Sequence, residues 1–401
     1  MALASPARQE LEFDEIILRQ GELISDKLNM LRFQQYPPDA EKELRPFSLS
    51  EVAYFLGVTP SNVKKLHLDG KGPTPTTSAS GRRTYTADQM LELRHYLDRH
   101  GRADFKKYVP HRRSGEALQV ISVVNFKGGS GKTTTAAHLA QHLALTGHRV
   151  LAIDLDPQAS LSALHGIQPE LDRLPSLYEA LRYDAEKKPI SDVIRATNFP
   201  GLDIVPASLD LQEYEYETPL AATRRDNPEG RFFFTRITKA LTSVDDRYDV
   251  VVIDCPPQLG YLTLTALTAS TSVLITIHPQ MLDVMSMSQF LLMLGGILQS
   301  ITKVGAKVRL KWFRYLVTRY EPTDGPQAQM TGFMQALFPE QMLKNPMVKS
   351  TAISDAGITN QSLYEVDRSQ FVRATYDRAL EALHAVNEEI TGLVHQAWGR
   401  K

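Results

Sequence analysis

Between residues 13 and 36 the apolar positions recur at helical spacing. Ile16, Ile17, Leu23, Ile24, Leu28 and Leu31, with Gln20 among them, form an i, i+3/i+4, i+7 stripe that Pro37-Pro38 stops. A single amphipathic helix cannot bury such a stripe alone, so it must pack on its own body or on a second copy. Ser48-Leu49-Ser50-Glu51 then reads as a capping box, opening a helix over 51–56 that ends at Gly57. A second helix starts at Thr59 or Ser61 and runs to Leu68, so the pair has helix–turn–helix spacing. The Gly-, Pro- and Thr-rich stretch 70–80 suits a hairpin wing, and Thr86 caps a third helix over 87–99. From 118 onward the pattern changes. Nearly continuous apolar runs at 118–126, 150–156, 202–206, 249–254, 272–277 and 312–318 predict parallel strands buried on both faces, with helices between most of them. That alternation predicts an α/β fold, a doubly wound and mostly parallel sheet with right-handed crossovers. A last helix carries Leu383, Val386, Ile390, Leu393 and Val394 on one face.

Composition narrows the class. A chain of 401 residues predicts two or more domains, and 42% hydrophobic with 23% charged residues is globular usage. A single cysteine, Cys255, excludes a disulfide framework and any thiolate-rich metal centre, and it reads as a small buried residue. No apolar run reaches the roughly 18–20 residues of a membrane span, and the first residues lack a basic-then-apolar signal, which predicts a cytoplasmic protein. The net charge of −1 conceals a basic block: residues 60–115 hold twelve Lys/Arg against five Asp/Glu, about +7. A basic block on a near-neutral chain suits a polyanion, although a solvated linker has the same composition.

The chemistry begins at Val123-Val124-Asn125-Phe126-Lys127-Gly128-Gly129-Ser130-Gly131-Lys132-Thr133-Thr134, which joins a strand directly to a helix. Glycines let the backbone aim several N–H groups at phosphate oxygens, and the helix N-terminus adds the positive end of its dipole. Lys132 supplies a charge for the terminal phosphates, and the Thr133 hydroxyl suits Mg²⁺. Phe126 stands where the ordinary P-loop has its first glycine, and a lysine, Lys127, stands at the loop entrance. Lys-Gly-Gly-x-Gly-Lys-Thr resembles the deviant P-loop of the ParA/MinD family of dimeric ATPases. The resemblance implies ATP and Mg²⁺ as cofactors, a nucleotide site over Lys127, Gly128, Gly129, Ser130, Gly131, Lys132, Thr133 and Thr134, and contact of Lys127 with the partner subunit's nucleotide.

Two further acidic strand ends follow. Asp154-Leu155-Asp156-Pro157-Gln158 resembles the family's switch strand, and carboxylates at i and i+2 leave a strand on the same side. Asp154 is expected near the Mg²⁺ shell and Asp156 beside the attacking water. Val250-Val251-Val252-Ile253-Asp254 is a Walker B strand, whose Asp254 is expected to hold a Mg²⁺-bound water. For the adenine end the resemblance points to 318–322, where Tyr320 or Pro322 either packs on the ring or simply forms a turn.

Residues 47–96 resemble a winged helix-turn-helix of the MerR type. The resemblance places Ser61, Asn62, Lys64 and Lys65 in a major groove and Arg82 and Arg83 on phosphates; a small protein-interaction module is the alternative. Residues 344–356 resemble the ParA segment for nonspecific DNA, nominating Lys344, Lys349 and Arg319. The expected organisation is a dimerisation helix over 1–45, a DNA-reading domain over 46–100, a basic linker over 101–117 and a P-loop NTPase domain over 118–401. The whole is similar to the larger ParA proteins with their own operator-binding domain, among them the RepA partition proteins of alpha-proteobacterial plasmids. Such a resemblance implies a homodimer, operator and nonspecific DNA, a ParB-type partner that stimulates slow hydrolysis, repression of its own operon, and a nucleoid-associated cytoplasmic location without membrane attachment. A MinD-like membrane-associated positioning ATPase is the alternative reading. Glu388, Glu389 and the scarcity of basic residues before Arg400 speak against it.

Overall fold

The computed structural model describes residues 13–35, 42–79, 81–100, 107–167, 174–224, 228–303, 305 and 308–400. Pro37-Pro38 and Lys106 fall outside these. The chain divides into two units, Met1–Glu43 and Leu44–Lys401. Among its described residues the first contains one helix, Phe13–Gln35, whose Ile16, Ile17, Leu23 and Ile24 are exposed.

The second unit is built on a seven-stranded sheet. In chain order its strands are β4 (Gln119–Val124), β5 (Val150–Asp154), β6 (Arg195–Ala196), β7 (Leu202–Val205), β8 (Val250–Asp254), β9 (Ser272–Ile277) and β10 (Trp312–Val317). Their order across the sheet is β10-β9-β4-β8-β5-β7-β6, parallel except for the edge strand β6, which runs antiparallel to β7. Every residue of β4, β5, β8 and β9 is buried, which explains why their sequences run apolar without alternation. The order places β4 between β9 and β8, and β8 at the centre between β4 and β5, so the carboxyl ends of β4, β8 and β5 open together at one edge. That is the switch point where doubly wound sheets bind ligands. The two-residue strand β6 had no sequence signal.

The expected capping box forms: Glu51 N–H donates to Ser48 Oγ, and Ser48 N–H donates to Glu51 Oε2 at 2.8 Å. The helix Leu49–Leu56 ends at Gly57, whose φ of 64° suits a residue without a side chain, and Thr59 caps the helix Pro60–Leu68. Strands β1 (Phe47–Ser48), β2 (Thr76–Thr77) and β3 (Arg83–Tyr85) form a small antiparallel sheet in the order β1-β3-β2, and the helix Ala87–His100 closes the group.

These elements are fastened to the large sheet's helices. Arg94, only 3% exposed, donates to Phe55 O at 2.6 Å, Tyr108 O at 2.7 Å and Leu145 O at 3.0 Å. Three separate segments converge on one cation, and burial without a carboxylate pulls its pKa down to about 10. Tyr54 donates to Glu388 at 2.6 Å and stacks on His384 at 4.2 Å. The C-terminal helix Arg373–Ala397 buries Leu383, Val386, Ile390 and Val394 completely.

One expectation is corrected. The helix Met281–Lys303 contains an 18-residue window of mean hydropathy 1.6, long and apolar enough by composition to cross a membrane. Scattered Ser286, Ser288 and Gln289 break any continuous apolar run without lowering the average enough. Met287, Phe290 and Leu294 face the core, while Met281, Leu282, Met285 and Leu292 are exposed.

Arg94→Leu removes the donors and strands buried carbonyls, so it should lower unfolding stability by about 3 kcal/mol in urea titrations. Arg94→Lys, which keeps the charge but loses the fork, should recover only part of it.

Candidate functional site

The segment Asn125–Gly131 leaves β4 and turns into the helix Lys132–Leu145. Gly129 and Gly131 have φ of 74° and 82°, a region that other L-residues enter only with strain, so both glycines are required by the path of the chain. The loop is pinned from the neighbouring strands. Asn125 Nδ2 donates to Thr276 O and Thr276 Oγ1 donates to Ser130 Oγ at 3.0 Å. Thr318 Oγ1 donates to Ser130 O at 2.8 Å and Arg319 Nη1 donates to Gly129 O at 3.1 Å. Inside the cradle Lys132, 7% exposed, donates to Lys127 O at 3.3 Å. Burial lowers its pKa, while Asp254 and Asp156 raise it.

Asp154 and Asp254 are register partners at the ends of β5 and β8, and both are fully buried. Their surroundings differ. Asp154 Oδ2 accepts from Ser162 N–H at 2.8 Å and Ser162 Oγ at 2.7 Å, and its Oδ1 accepts from Asp156 N–H at 3.2 Å. Neither oxygen of Asp254 has a hydrogen-bond partner. Burial first, then the Asp154 charge, holds Asp254 well above the ordinary carboxylate range, with Thr133 and Lys132 acting in the opposite sense. Burial raises Asp154 too, against its three N–H and O–H donors. An orphaned buried carboxylate beside Thr133 and Lys132 is a site that lacks a positive charge. A hydrated divalent cation fits it, with Asp254 and Thr133 as the available oxygens; Asp154 is already occupied by Ser162.

A cavity of about 460 Å³ joins Gly128, Gly129, Gly131, Lys132, Thr133 and Thr134 to Asp156 and to the segment 347–354. Tyr320 and Pro322 do not line it. Arg319 adopts a left-handed φ of 53°, which turns the chain so that Tyr320 N–H donates to Met347 O at 3.1 Å and the residue packs against the core. The wall opposite the P-loop is instead Met347, Val348 and Ile353. No sequence signal marked this wall, because it depends on an isolated bridge between Tyr320 and Val348.

At the loop entrance Lys127 Nζ forms a 2.8 Å ion pair with Asp283 of its own chain. Lys349 also lines the cavity and pairs with Glu321 at 2.8 Å, so it faces the same space as the P-loop. Lys344 is exposed, its backbone N–H donating to Glu389 at 2.9 Å. Ser61, Asn62, Lys64 and Lys65 are exposed on one helix around a buried Val63. Lys64, Arg82 and Arg83 share a cleft of about 810 Å³.

Residues 118–304 match the AAA domain family. A provisionally named replication protein A of Sinorhizobium fredii (strain NBRC 101917 / NGR234) is 72% identical over 393 residues, 98% of this chain and 97% of its own length. The chromosome partitioning protein ParA of Caulobacter vibrioides (strain NA1000 / CB15N) is 31% identical over 245 residues, 61% of this chain and 85% of its own length. This chain belongs to the ParA family of partition ATPases. The fold is shared with a solved structure of a partition protein over 94% of the chain and 98% of that protein's length, with TM-score 0.60 at 18% identity. Within the ParA frame, the P-loop and the two acidic strand ends stand together; Arg319, nominated for nonspecific DNA, joins them at Gly129, and Asp283 and Ser162 join them without a motif to announce them.

The raised pair Asp154/Asp254 gives a pH dependence with a definite sign. Both carboxyls hold protons more tightly folded than unfolded, so their contribution is present in the ordinary carboxylate range and lost as pH rises toward neutrality. Relative to Asp254→Asn, the thermal midpoint of the ligand-free wild type should therefore fall between about pH 5 and pH 8, the buried histidines with lowered pKa acting in the opposite sense in both proteins. Asp254→Asn should flatten that slope and raise the midpoint near pH 8.

Proposed function

We propose that this ParA-family chain is a Mg²⁺-dependent ATPase for plasmid partition that closes as a dimer on ATP, coats nonspecific DNA and represses its own operon in another nucleotide state. The observation that carries the reading is the orphaned Asp254 carboxylate facing a glycine-lined cradle with a buried lysine. Mg²⁺ in that position would supply the missing charge and polarise the terminal phosphate. Lys132 and the loop N–H groups bind the phosphates, and Thr133 and Asp254 hold the ion or its water. Asp156, half-exposed and accepting from Gln158 N–H at 3.0 Å, orients the attacking water. Asp154 acts one step back, tying Ser162 and the Asp156 backbone into place. Since little covalent chemistry falls to the protein, positioning and charge dispersal dominate the rate.

Lys127 is the residue for the partner's nucleotide. Its cis pairing with Asp283 keeps the ammonium group at the entrance, partly exposed, so closing the dimer exchanges one anionic partner for another. A ParB-type centromere-binding protein would then stimulate hydrolysis and release. Ser61, Asn62, Lys64 and Lys65 read the operator, and Arg82 and Arg83 hold its phosphates. Lys344 remains a nonspecific DNA contact; Lys349, paired beside the nucleotide cavity, reaches DNA only by leaving Glu321. The protein would work in the cytoplasm on the nucleoid. Against the MinD-like alternative stands the C-terminal helix, whose apolar face is spent on the core.

Sedimentation and DNA binding with ATP, ADP or no nucleotide test this. Wild type should dimerise and bind a mixed-sequence duplex with ATP alone, and Lys127→Gln should bind ATP yet stay monomeric; a dimer as stable as wild type would overturn the trans assignment. Lys64→Ala should weaken operator binding and reduce its log–log salt slope by about one unit.

A further inference from the structure

We propose that Arg319 is a second cationic contact to the nucleotide's phosphate chain, made from within its own subunit across the P-loop from Lys127. The inference rests on the nucleotide site proposed above, and its own observations are separate. First, the backbone of Arg319 has φ of 53°, a left-handed conformation that glycine adopts freely and arginine does not. Among the described residues only Ala159, Arg319 and Asn360 are non-glycine with positive φ, and Ala159 lies between Gln158 and Ser160 on the wall of the same cavity. Strain of this kind gathers where a site needs a particular side chain, so keeping arginine at a glycine position marks the side chain as the purpose.

Second, the guanidinium is placed on the phosphate loop. Arg319 Nη1 donates to Gly129 O at 3.1 Å, a Cβ on Gly129 would lie 3.8 Å from it, and the residue lines the cavity with Gly128, Gly129 and Lys132. One N–H is used in that bond, and the fork has others to offer. Third, the charge has no counter-ion. The nearby acids are engaged elsewhere, Glu321 by Lys349 at 2.8 Å and Asp283 by Lys127 at 2.8 Å, and no ion pair to Arg319 forms among the described residues. His278 registers the same crowding: burial lowers its pKa, and Arg319 and Lys127 push it further down against Asp283 and Glu321. An unneutralised arginine at the edge of a phosphate cradle has a polyanion as its natural partner, and a planar fork suits adjacent phosphoryl oxygens.

The test separates contact from scaffolding. Arg319→Gly relieves the backbone strain, so a purely structural role predicts unchanged nucleotide affinity and a thermal midpoint at or above wild type. The phosphate contact predicts instead that Arg319→Gly and Arg319→Ala lose about tenfold in affinity for Mg·ADP and for a non-hydrolysable ATP analogue by calorimetry. The ligand-free midpoint of Arg319→Gly should not fall, and Arg319→Lys should keep part of the affinity. Affinity of Arg319→Gly within about twofold of wild type would overturn the assignment while Lys132→Ala, with its own loss, left the nucleotide site standing. Should Lys132→Ala also bind normally, the site itself falls and the arginine contact with it.

Discussion

Two carboxylates, buried side by side at the ends of adjacent parallel strands, set the terms for everything around them. Asp154 and Asp254 are brought into register by the pairing of β5 with β8, and water is excluded from both. Such a pair is tolerable only if protonated, hydrogen-bonded or met by positive charge. The fold uses all three devices unequally. Ser162 saturates one oxygen of Asp154, Lys132 is drawn in beside the pair, and Asp254 is left open. The glycine loop, the helix dipole and the open carboxylate thus make one unfinished electrostatic arrangement, completed from outside the chain.

Much of this was legible in the residues. The strands β4, β5 and β8 were readable because burial on both faces demands unbroken apolar runs, and the P-loop because Gly129 and Gly131 stand where the backbone must take positive φ. The capping box at Ser48 and the turn at Gly57 were readable for equally local reasons. What stayed hidden was tertiary. Tyr320 had two roles open to it, packing on the base or forming a turn; the turn at Arg319 sends its backbone toward Met347, and nothing local announces a bridge to a segment almost thirty residues away. Lys127 offered no hint of Asp283, 156 positions downstream, nor Asp154 of Ser162's double donation. The apolar helix Met281–Lys303 escaped notice because serines interrupt its run without lowering its mean hydropathy.

The exposed face of that helix also shows how the loop entrance is framed. Asp283 lies in its first turn, and Phe126 stacks on Phe290 with ring centroids 6.2 Å apart. The entrance lysine and the start of a long apolar helix are therefore parts of one surface, and any subunit approaching Lys127 meets methionines and leucines as well as charge.

The buried arginine at the other end of the phosphate helix has a different consequence. The helix Lys132–Leu145 is roughly 21 Å long, with the cradle at one end and Leu145 O, bound by Arg94, at the other. The helix–turn–helix group is thus a bolted fitting and not a cassette. Moved to another body it would carry an interior cation left with only Phe55 O of its three acceptors, and the body left behind would keep bare carbonyls at Tyr108 and Leu145. Gain or loss of this group during descent would have required rewriting both sides of the joint together.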